Sequence, residues 1–362
     1  MTSATVRPNW IIECSAEASV QAGYDQSPDY LIQSNLVGCY RCLELARRTD
    51  AGMVFLSTSR VYPVSSLNGL AWAEDATRFR LLDDQTAAGA SARGVTEEFA
   101  TTGARSLYGM TKLAAELMIE EYGDAFGMPY VINRCGLIAG PWQMGKSDQG
   151  VVALWMAAHC FGRGLRYIGY GGTGKQVRDV LHVDDLVELT LDQIAHPDDY
   201  AGKTFNVGGG LESSLSLLEM TTLCREISGR TIAITPEAQE RKADLRVYLS
   251  DSAKVEAVRG WKPKRSAAQT LEDIHKWIQS RHAELAGLGC VNAMLKQALR
   301  VALFLYVTVL CCPVEFFAPE PTVDGSWQLG LNVAADQGLR FGEDIEWPSR
   351  AFRLPGFPNA GG

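Results

Sequence analysis

Two patterns of apolar residues alternate along the first 140 positions, and they predict a succession of strands and helices. Short continuous apolar runs at 10–12, 53–57 and 130–134 are typical of buried strands in a parallel sheet. Between them, 30–48 and the stretch that begins at Tyr108 carry apolar residues three and four positions apart, as amphipathic helices do. This alternation predicts an α/β fold, a doubly wound parallel sheet with right-handed crossovers.

The helix from Tyr108 carries a candidate acid–base pair. Residues four apart on a helix point the same way, so Tyr108 and Lys112 can direct their polar ends at one spot. We expect Leu113 and Leu117 to lie on the apolar face and Glu116 to lie elsewhere. A cation about 6 Å from a phenol, at an effective dielectric constant near 20, lowers the phenol pKa by about two units. The spacing therefore predicts a phenol that exchanges protons at working pH, or simply a packed amphipathic helix.

Two further side chains have both a functional and a structural interpretation. Thr58 ends an apolar strand, and ligands of doubly wound sheets bind at the carboxyl ends of the strands. Its hydroxyl either bonds a substrate oxygen beside Tyr108 or closes the strand by bonding local backbone. Arg178 has the planar fork that suits a phosphate, or it pairs with Asp179 or Asp184.

Composition narrows the class of protein. The chain has 362 residues, 46% of them hydrophobic and 21% charged, which suits one large or two medium domains. A formal net charge of −8 argues against nucleic acid as a partner. Nine cysteines without regular spacing favour free thiols in a reducing cytoplasm. Cys39 and Cys42 form a C-x-x-C that lacks a second ligand pair, so we predict no metal site.

One glycine pattern resembles a nucleotide site without its context. The residues GYGGTG at 169–174 match G-x-G-x-x-G letter for letter. A dinucleotide loop must lead into a helix whose N-terminus holds the pyrophosphate. Here 176–181 looks like another strand, so we predict a hairpin or loop.

Three motifs, taken in order, resemble the extended short-chain dehydrogenase/reductase family, which includes NAD-dependent sugar epimerases and dehydratases. They are STSRVY at 57–62, Tyr-x-x-x-Lys at 108–112 and RDVLHVDD at 178–185. The resemblance covers about residues 9–282 and is nearest to the nucleotide-sugar epimerases that act on CDP-linked sugars. The nearer likeness lies at 134–143, 145–150, 174–178, 205–210, 214–217 and 260–263.

The resemblance implies a catalytic set of three residues. Tyr108 would exchange a proton with a sugar hydroxyl, and Thr58 would hydrogen-bond the reacting oxygen. Lys112 would lower the phenol pKa and hold the nicotinamide ribose. The reaction would be a transient oxidation, in which a hydride passes from the sugar carbon to NAD and returns to the opposite face.

The resemblance also implies the binding residues. Arg178 would bind the diphosphate of a nucleotide-sugar, and Gln143 would contact the same substrate. Ala16 and Asn35 would line the NAD site, together with the Tyr108 and Lys112 side chains. A homodimer is expected through a helix pair that includes the Tyr108 helix.

The chain departs from the family pattern in three places. Nothing before Trp10 matches the glycine-rich turn that holds NAD, so about the first 70 residues of the fold are expected to be missing and NAD binding to be weak. Glu13, Cys14 and Ser15 stand where the family usually shows histidine and small residues. Ser59 and Arg60 stand where sugar dehydratases have an Asp-Glu pair after the threonine. An epimerase is therefore expected ahead of a dehydratase.

These patterns predict a partial dinucleotide-binding domain at 1–142, a substrate domain at 143–285 and an unrelated extension at 286–362. Within the extension, 301–318 is apolar and indicates either membrane contact or a buried or oligomer-forming helix. Three functions stay open: a NAD-dependent nucleotide-sugar epimerase, a non-catalytic relic that binds a nucleotide-sugar or a partner, and a dehydratase or reductase. All three are expected in the cytoplasm.

Overall fold

The computed structural model describes residues 7–24, 27–145, 149–282 and 285. Its strands form a four-stranded parallel sheet, a second mixed sheet and three two-stranded pairs. The strands are β1 (Trp10–Glu13), β2 (Gly52–Thr58), β3 (Trp72–Glu74), β4 (Phe79–Leu81), β5 (Ala90–Ser91), β6 (Gly94–Val95), β7 (Tyr130–Cys135), β8 (Leu137–Ala139), β9 (Leu165–Ile168), β10 (Val177–His182), β11 (Lys203–Val207), β12 (Ser214–Ser216), β13 (Ile234–Glu237) and β14 (Val247–Tyr248).

Helices connect most of these strands. The helix predicted at 30–48 is continuous: a π-helix, Ile32–Val37, joins the first two α-helices, Asp29–Leu31 and Gly38–Thr49. The α-helices are α1 (Asp29–Leu31), α2 (Gly38–Thr49), α3 (Val64–Asn68), α4 (Leu107–Phe126), α5 (Val151–Phe161), α6 (Val183–Ala195), α7 (Pro197–Tyr200), α8 (Leu217–Ser228), α9 (Ala253–Arg259) and α10 (Ala267–Ser280).

The parallel sheet has the strand order β1-β2-β7-β11 and is covered on both faces. On one face, α2 and α4 bury apolar residues that include Leu43 and Ile119. On the other face, α6, α7 and α9 contribute Leu189, Tyr200 and Val255. Because helices flank both sides of a parallel sheet, the prediction of a doubly wound α/β fold is confirmed.

The second sheet is organised around β10, which pairs with β12, β14 and β8. Its apolar cover comes from α5, α8 and α10, which meet around Met156, Met220 and Ile274. The GYGGTG segment contains a short 3-10 turn, Tyr170–Gly172, and leads into β10. The prediction of a loop at 169–174 is therefore confirmed.

The buried face of α4 differs from the predicted one. Leu117 is 56% exposed, whereas Lys112 and Glu116 are buried along with Ala115 and Ile119. The prediction ranked side chains by hydrophobicity alone. A charged side chain can be buried when a partner of opposite charge is buried with it, and both of these have one.

Glu116 is the centre of a buried polar network that fixes α4 to the sheet. Its carboxylate accepts hydrogen bonds from Ser57 at the end of β2 and from the Arg134 guanidinium on β7, whose Nη2 lies 2.8 Å away. Arg134 also donates to the Tyr62 hydroxyl at 3.2 Å, and Tyr62 donates to Asn206 on β11 at 2.8 Å. The network joins three strands to the helix that carries Tyr108.

The predicted extension, including the apolar run 301–318, lies outside the residues that the structure describes. Across the described ranges, the helices are too short or too polar to cross a bilayer.

Candidate functional site

A cavity of about 810 Å³ opens where β2 and β7 end. Four side chains that the sequence singled out line it: Thr58, Tyr108, Gln143 and Arg178. Lys112 lies behind this surface and is 3% exposed. The fold therefore gathers the predicted catalytic and substrate-binding residues around one space, at the edge of the sheet where doubly wound folds bind ligands.

Tyr108 and Thr58 lie close together on the cavity wall. Ser106 caps α4 by accepting a hydrogen bond from the Gly109 amide at 3.0 Å, which fixes the first helical turn and its tyrosine. Thr58 accepts a bond from the Arg60 amide at 3.2 Å, and its hydroxyl lies close enough to the Tyr108 phenol to oppose the rise of the phenol pKa. A hydroxyl that donates to this oxygen favours the phenolate, as an acid–base role requires.

The electrostatic balance at the phenol differs from the expected one. Burial raises the pKa of Tyr108, and the Lys112 cation and the Thr58 hydrogen bond oppose this rise without cancelling it. The predicted net lowering of the phenol pKa is therefore wrong for the protein by itself. The cation alone would lower the phenol pKa, but a phenolate in a buried site also loses its hydration, and this cost is the larger one here.

Lys112 is paired with the carboxylate of Glu13, one of the positions at which the chain departs from the family pattern. Its Nζ lies 3.6 Å from Glu13 Oε2 at the end of β1, and 4.2 Å from the centroid of the Phe55 ring. Burial alone would lower the pKa of Lys112, but Glu13 and then Tyr108 raise it above its usual value. The sequence signal for this role was an acidic residue closing a buried strand next to β2.

Glu13 is itself held in place from one side. Its Oε1 accepts hydrogen bonds from the Ser15 amide and hydroxyl at 2.9 and 2.6 Å. The other oxygen, Oε2, is buried and has no hydrogen-bond donor among the described residues. An acceptor left open beside Lys112 suits a hydroxyl of a bound ligand.

Asn35 uses its amide within the protein. Its Oδ1 accepts a bond from the Glu17 amide at 2.8 Å, and its Nδ2 donates to the Glu17 carbonyl and to Thr111 Oγ1, both at 3.1 Å. These bonds fix the loop after β1, which carries the half-buried Ala16, against α4. Neither Ala16 nor Asn35 lines the cavity.

Arg178 has a partner that the sequence did not indicate. Its Nη2 lies 3.1 Å from Asp244 Oδ1, and its Nη1 donates to the Val177 carbonyl at 2.7 Å. The predicted structural partners are wrong: Asp179 accepts bonds from the Ser250 and Gly210 amides, and Asp184 lies beside His182. Asp244 is distant in sequence, so only the fold brings it to Arg178.

Gln143 presents an open acceptor to the cavity. Its Nε2 donates to the Ile138 carbonyl at 2.9 Å, which fixes the amide plane. Its Oε1 is buried and without a hydrogen-bond partner in the described part of the chain. A sugar hydroxyl or a base amino group could supply the missing donor.

The raised pKa of Tyr108 gives a testable pH dependence. The measurement is the absorbance change of phenol ionisation in the wild type, from which the change in the Tyr108→Phe variant is subtracted. We expect the difference to show one tyrosine with a pKa above the ordinary value of 10.0. The pKa of Tyr108 is higher in the folded protein than in the unfolded chain. Its protonation therefore stabilises the fold fully below the unfolded-state pKa, and this contribution is lost as pH rises through the folded-state pKa. A difference titration centred below 10 would contradict the burial argument.

Comparisons with known proteins identify the family of the chain. The model of the family described as "NAD dependent epimerase/dehydratase family" matches residues 2–208. CDP-paratose 2-epimerase of Salmonella typhi is 29% identical over 254 residues, which cover 68% of this chain and 71% of that protein. The dTDP-glucose 4,6-dehydratase of Streptomyces antibioticus is 25% identical over 274 residues, 75% of this chain and 71% of that one.

Solved structures share the fold. A UDP-glucose 4-epimerase from Thermus thermophilus, solved in complex with NAD, superposes with a TM-score of 0.60 at 23% identity, over 75% of this chain and 78% of that one. An epimerase from Methanothermobacter thermautotrophicus gives a TM-score of 0.62 at 18% identity, over 78% and 75% of the two chains.

NAD is the cofactor of this family, and the described residues fit its nicotinamide end. Lys112 and the open Glu13 Oε2 lie side by side behind Tyr108, a donor and an acceptor of the kind that a ribose diol requires. Weak NAD binding stays a prediction. The matched family model, the shared fold and the convergence of Thr58, Tyr108 and Lys112 lead to one conclusion: the chain belongs to the NAD-dependent epimerase/dehydratase family of enzymes.

Proposed function

We propose that this protein is a NAD-dependent nucleotide-sugar epimerase that works by transient oxidation of a sugar hydroxyl. The observation that carries the proposal is that Thr58, Tyr108 and Arg178 line one cavity of about 810 Å³. In the proposal they serve as hydroxyl-binding group, proton acceptor and phosphate-binding group for one bound sugar nucleotide.

Each residue has a defined step in the proposed reaction. Tyr108 takes the proton of the sugar hydroxyl and gives it back after the carbon has changed configuration. Thr58 holds the reacting oxygen through its hydroxyl. Lys112 keeps a positive charge behind the phenol and, with Glu13, holds the nicotinamide ribose. The chemistry that bound NAD would supply is acceptance and return of the hydride.

The charges around the cavity support an anionic substrate. Among the described lining residues, arginine supplies every cation and a single aspartate supplies the opposing charge. An excess of guanidinium groups favours phosphate, which they bind through two parallel hydrogen bonds. The charged lining residues are Arg60, Arg163, Arg166, Arg178, Arg241 and Asp244.

The turn after Thr58 favours epimerisation over dehydration. Loss of water from an oxidised sugar needs an acid and a base beside the leaving group. Here the turn Ser59–Val61 brings Arg60 into the cavity instead of a carboxylate. We therefore propose a reaction in which the hydride returns to the carbon that lost it, without loss of water. We propose a CDP-linked sugar as the substrate because of the likeness to CDP-paratose 2-epimerase.

A homodimer is part of the proposal. Large apolar side chains are exposed on the two neighbouring helices α2 and α4: Tyr40, Leu45, Met110, Leu117 and Phe126. An exposed apolar surface shared by adjacent helices favours association with a second copy.

The proposed reaction is tested by incubating the protein with NAD and CDP-paratose in deuterated water, followed by NMR of the sugar. We expect the 2-epimer to form without deuterium at the inverted carbon, because the hydride returns from the cofactor and not from solvent. A keto-deoxy product would show a dehydratase. Binding of the CDP-sugar without any product would support the non-catalytic alternative.

A further inference from the structure

Two arginines of the cavity lie near one carboxylate, and one of them is ion-paired with it. Arg178 Nη2 lies 3.1 Å from Asp244 Oδ1, and Arg60 lies close enough to both that it feels repulsion from Arg178 and attraction from Asp244. Burial, followed by the like charge of Arg178, lowers the pKa of Arg60 to about 10. Two guanidinium groups beside one carboxylate leave a net positive charge for a ligand.

We propose that Arg60 and Arg178 form a two-armed anion site for the phosphate attached to the sugar, with Asp244 as the internal counterion that this phosphate replaces. The inference rests on the proposed function for the identity of the ligand. It adds Arg60 as a residue that contacts the substrate, and it gives Asp244 a defined part in binding.

The main chain of Arg60 is locked between the two proposed catalytic residues. Its amide donates to Thr58 Oγ1 at 3.2 Å. Its carbonyl oxygen would lie 2.0 Å from a Cβ placed at Gly109, next to Tyr108, so the turn packs directly on the start of α4. The guanidinium is therefore attached to a rigid base beside the reacting groups.

The Arg60 side chain retains hydrogen-bonding capacity. Its Nη1 donates to the Ala243 carbonyl at 2.9 Å, and this is the one acceptor recorded for its guanidinium within the described ranges. A guanidinium carries five N–H groups, so donors are left for an oxyanion. Bidentate binding of phosphate by such a group is a strong, charge-assisted interaction.

The segment that holds these arginines is strained. Ala243 has a φ of +57°, in the left-handed region that residues other than glycine rarely adopt. The next residue, Asp244, accepts a bond from the Leu245 amide at 2.8 Å through the same Oδ1 that faces Arg178. Asp244 thus keeps a hydrogen bond after a phosphate displaces it, and strain of this kind is typical of ligand-binding segments.

The test compares binding of CDP and CMP by titration calorimetry without NAD, because only CDP carries the phosphate in question. We expect Arg60→Gln to reduce the ratio of CDP to CMP affinity about tenfold, the loss typical of a charge-assisted bond, while CMP affinity stays unchanged. Arg60→Lys should restore part of the ratio, and Asp244→Asn should raise it. Arg80→Gln, an exposed arginine away from the cavity, is the matched control.

An unchanged ratio in Arg60→Gln, or an equal loss of CDP and CMP affinity, would overturn the two-armed site. Thermal unfolding of each variant identifies a folding defect, and in that case the Arg60→Lys and Asp244→Asn ratios decide the question. The measurement needs neither NAD nor turnover. The anion site can therefore be confirmed even if the protein is not an epimerase, and it can be refuted even if the protein is one.

Discussion

Replacement of Tyr108 by phenylalanine is expected to lower kcat by a factor of about 10²–10⁴, the usual contribution of a positioned acid–base group. The phenol oxygen is the proposed acid and base at the cavity wall, and phenylalanine removes this oxygen while it keeps the ring. The measurement is the rate of epimer formation at saturating NAD and nucleotide-sugar. CDP affinity should stay unchanged, because the diphosphate contacts are assigned to other residues.

Tyr122→Phe is the matched control for this prediction. Tyr122 lies on the same helix, and its hydroxyl bonds Glu44 at 2.8 Å, away from the cavity. We expect wild-type turnover from this variant. Turnover within a few-fold of wild type in Tyr108→Phe would remove the phenol from the mechanism.

The largest expected loss of stability follows from Glu116→Ala. Glu116 is 1% exposed and pairs with the buried Arg134 guanidinium, so its removal leaves a cation without compensation inside the protein. Breaking a buried ion pair from one side costs about 3–5 kcal/mol in the free energy of unfolding. Urea unfolding followed by circular dichroism measures the loss.

Glu120→Ala provides the comparison on the same helix. Glu120 is exposed, so its removal should change the free energy of unfolding by less than about 0.5 kcal/mol. Equal effects of the two replacements would show that the loss comes from the helix and not from the network. Replacement of both Glu116 and Arg134 by apolar residues should recover part of the loss, since neither charge is then left alone.

The strands of the parallel sheet could be predicted because they are buried on both sides and therefore continuously apolar. The run predicted at 53–57 became Gly52–Thr58, and the one at 130–134 became Tyr130–Cys135. Thr58 and Tyr108 could be placed near each other because strand ends and the following helix starts meet at one edge of such a sheet. The proximity of Thr58 and Tyr108 thus follows from the local sequence pattern and from a general rule of doubly wound folds.

The charged partners could not be predicted in the same way. Glu13, Asp244 and Arg134 each pair with a residue far away in sequence, and nothing in local spacing distinguishes such a pair from two solvated charges. For the same reason, the predicted buried face of α4 and the predicted direction of the pKa shift of Tyr108 were wrong. Both depend on burial and on partners, which only the three-dimensional arrangement sets.

The short turn Ser59–Val61 divides two tasks between its main chain and its side chains. The peptide groups of Arg60 align the threonine and the tyrosine helix, and any residue with a backbone N–H could supply them. The side chains of Ser59 and Arg60 line the cavity, whereas Val61 is buried in the core. Evolution could thus exchange one sugar for another, or one outcome for another, by point changes at 59 and 60 without disturbing the proton-transfer geometry.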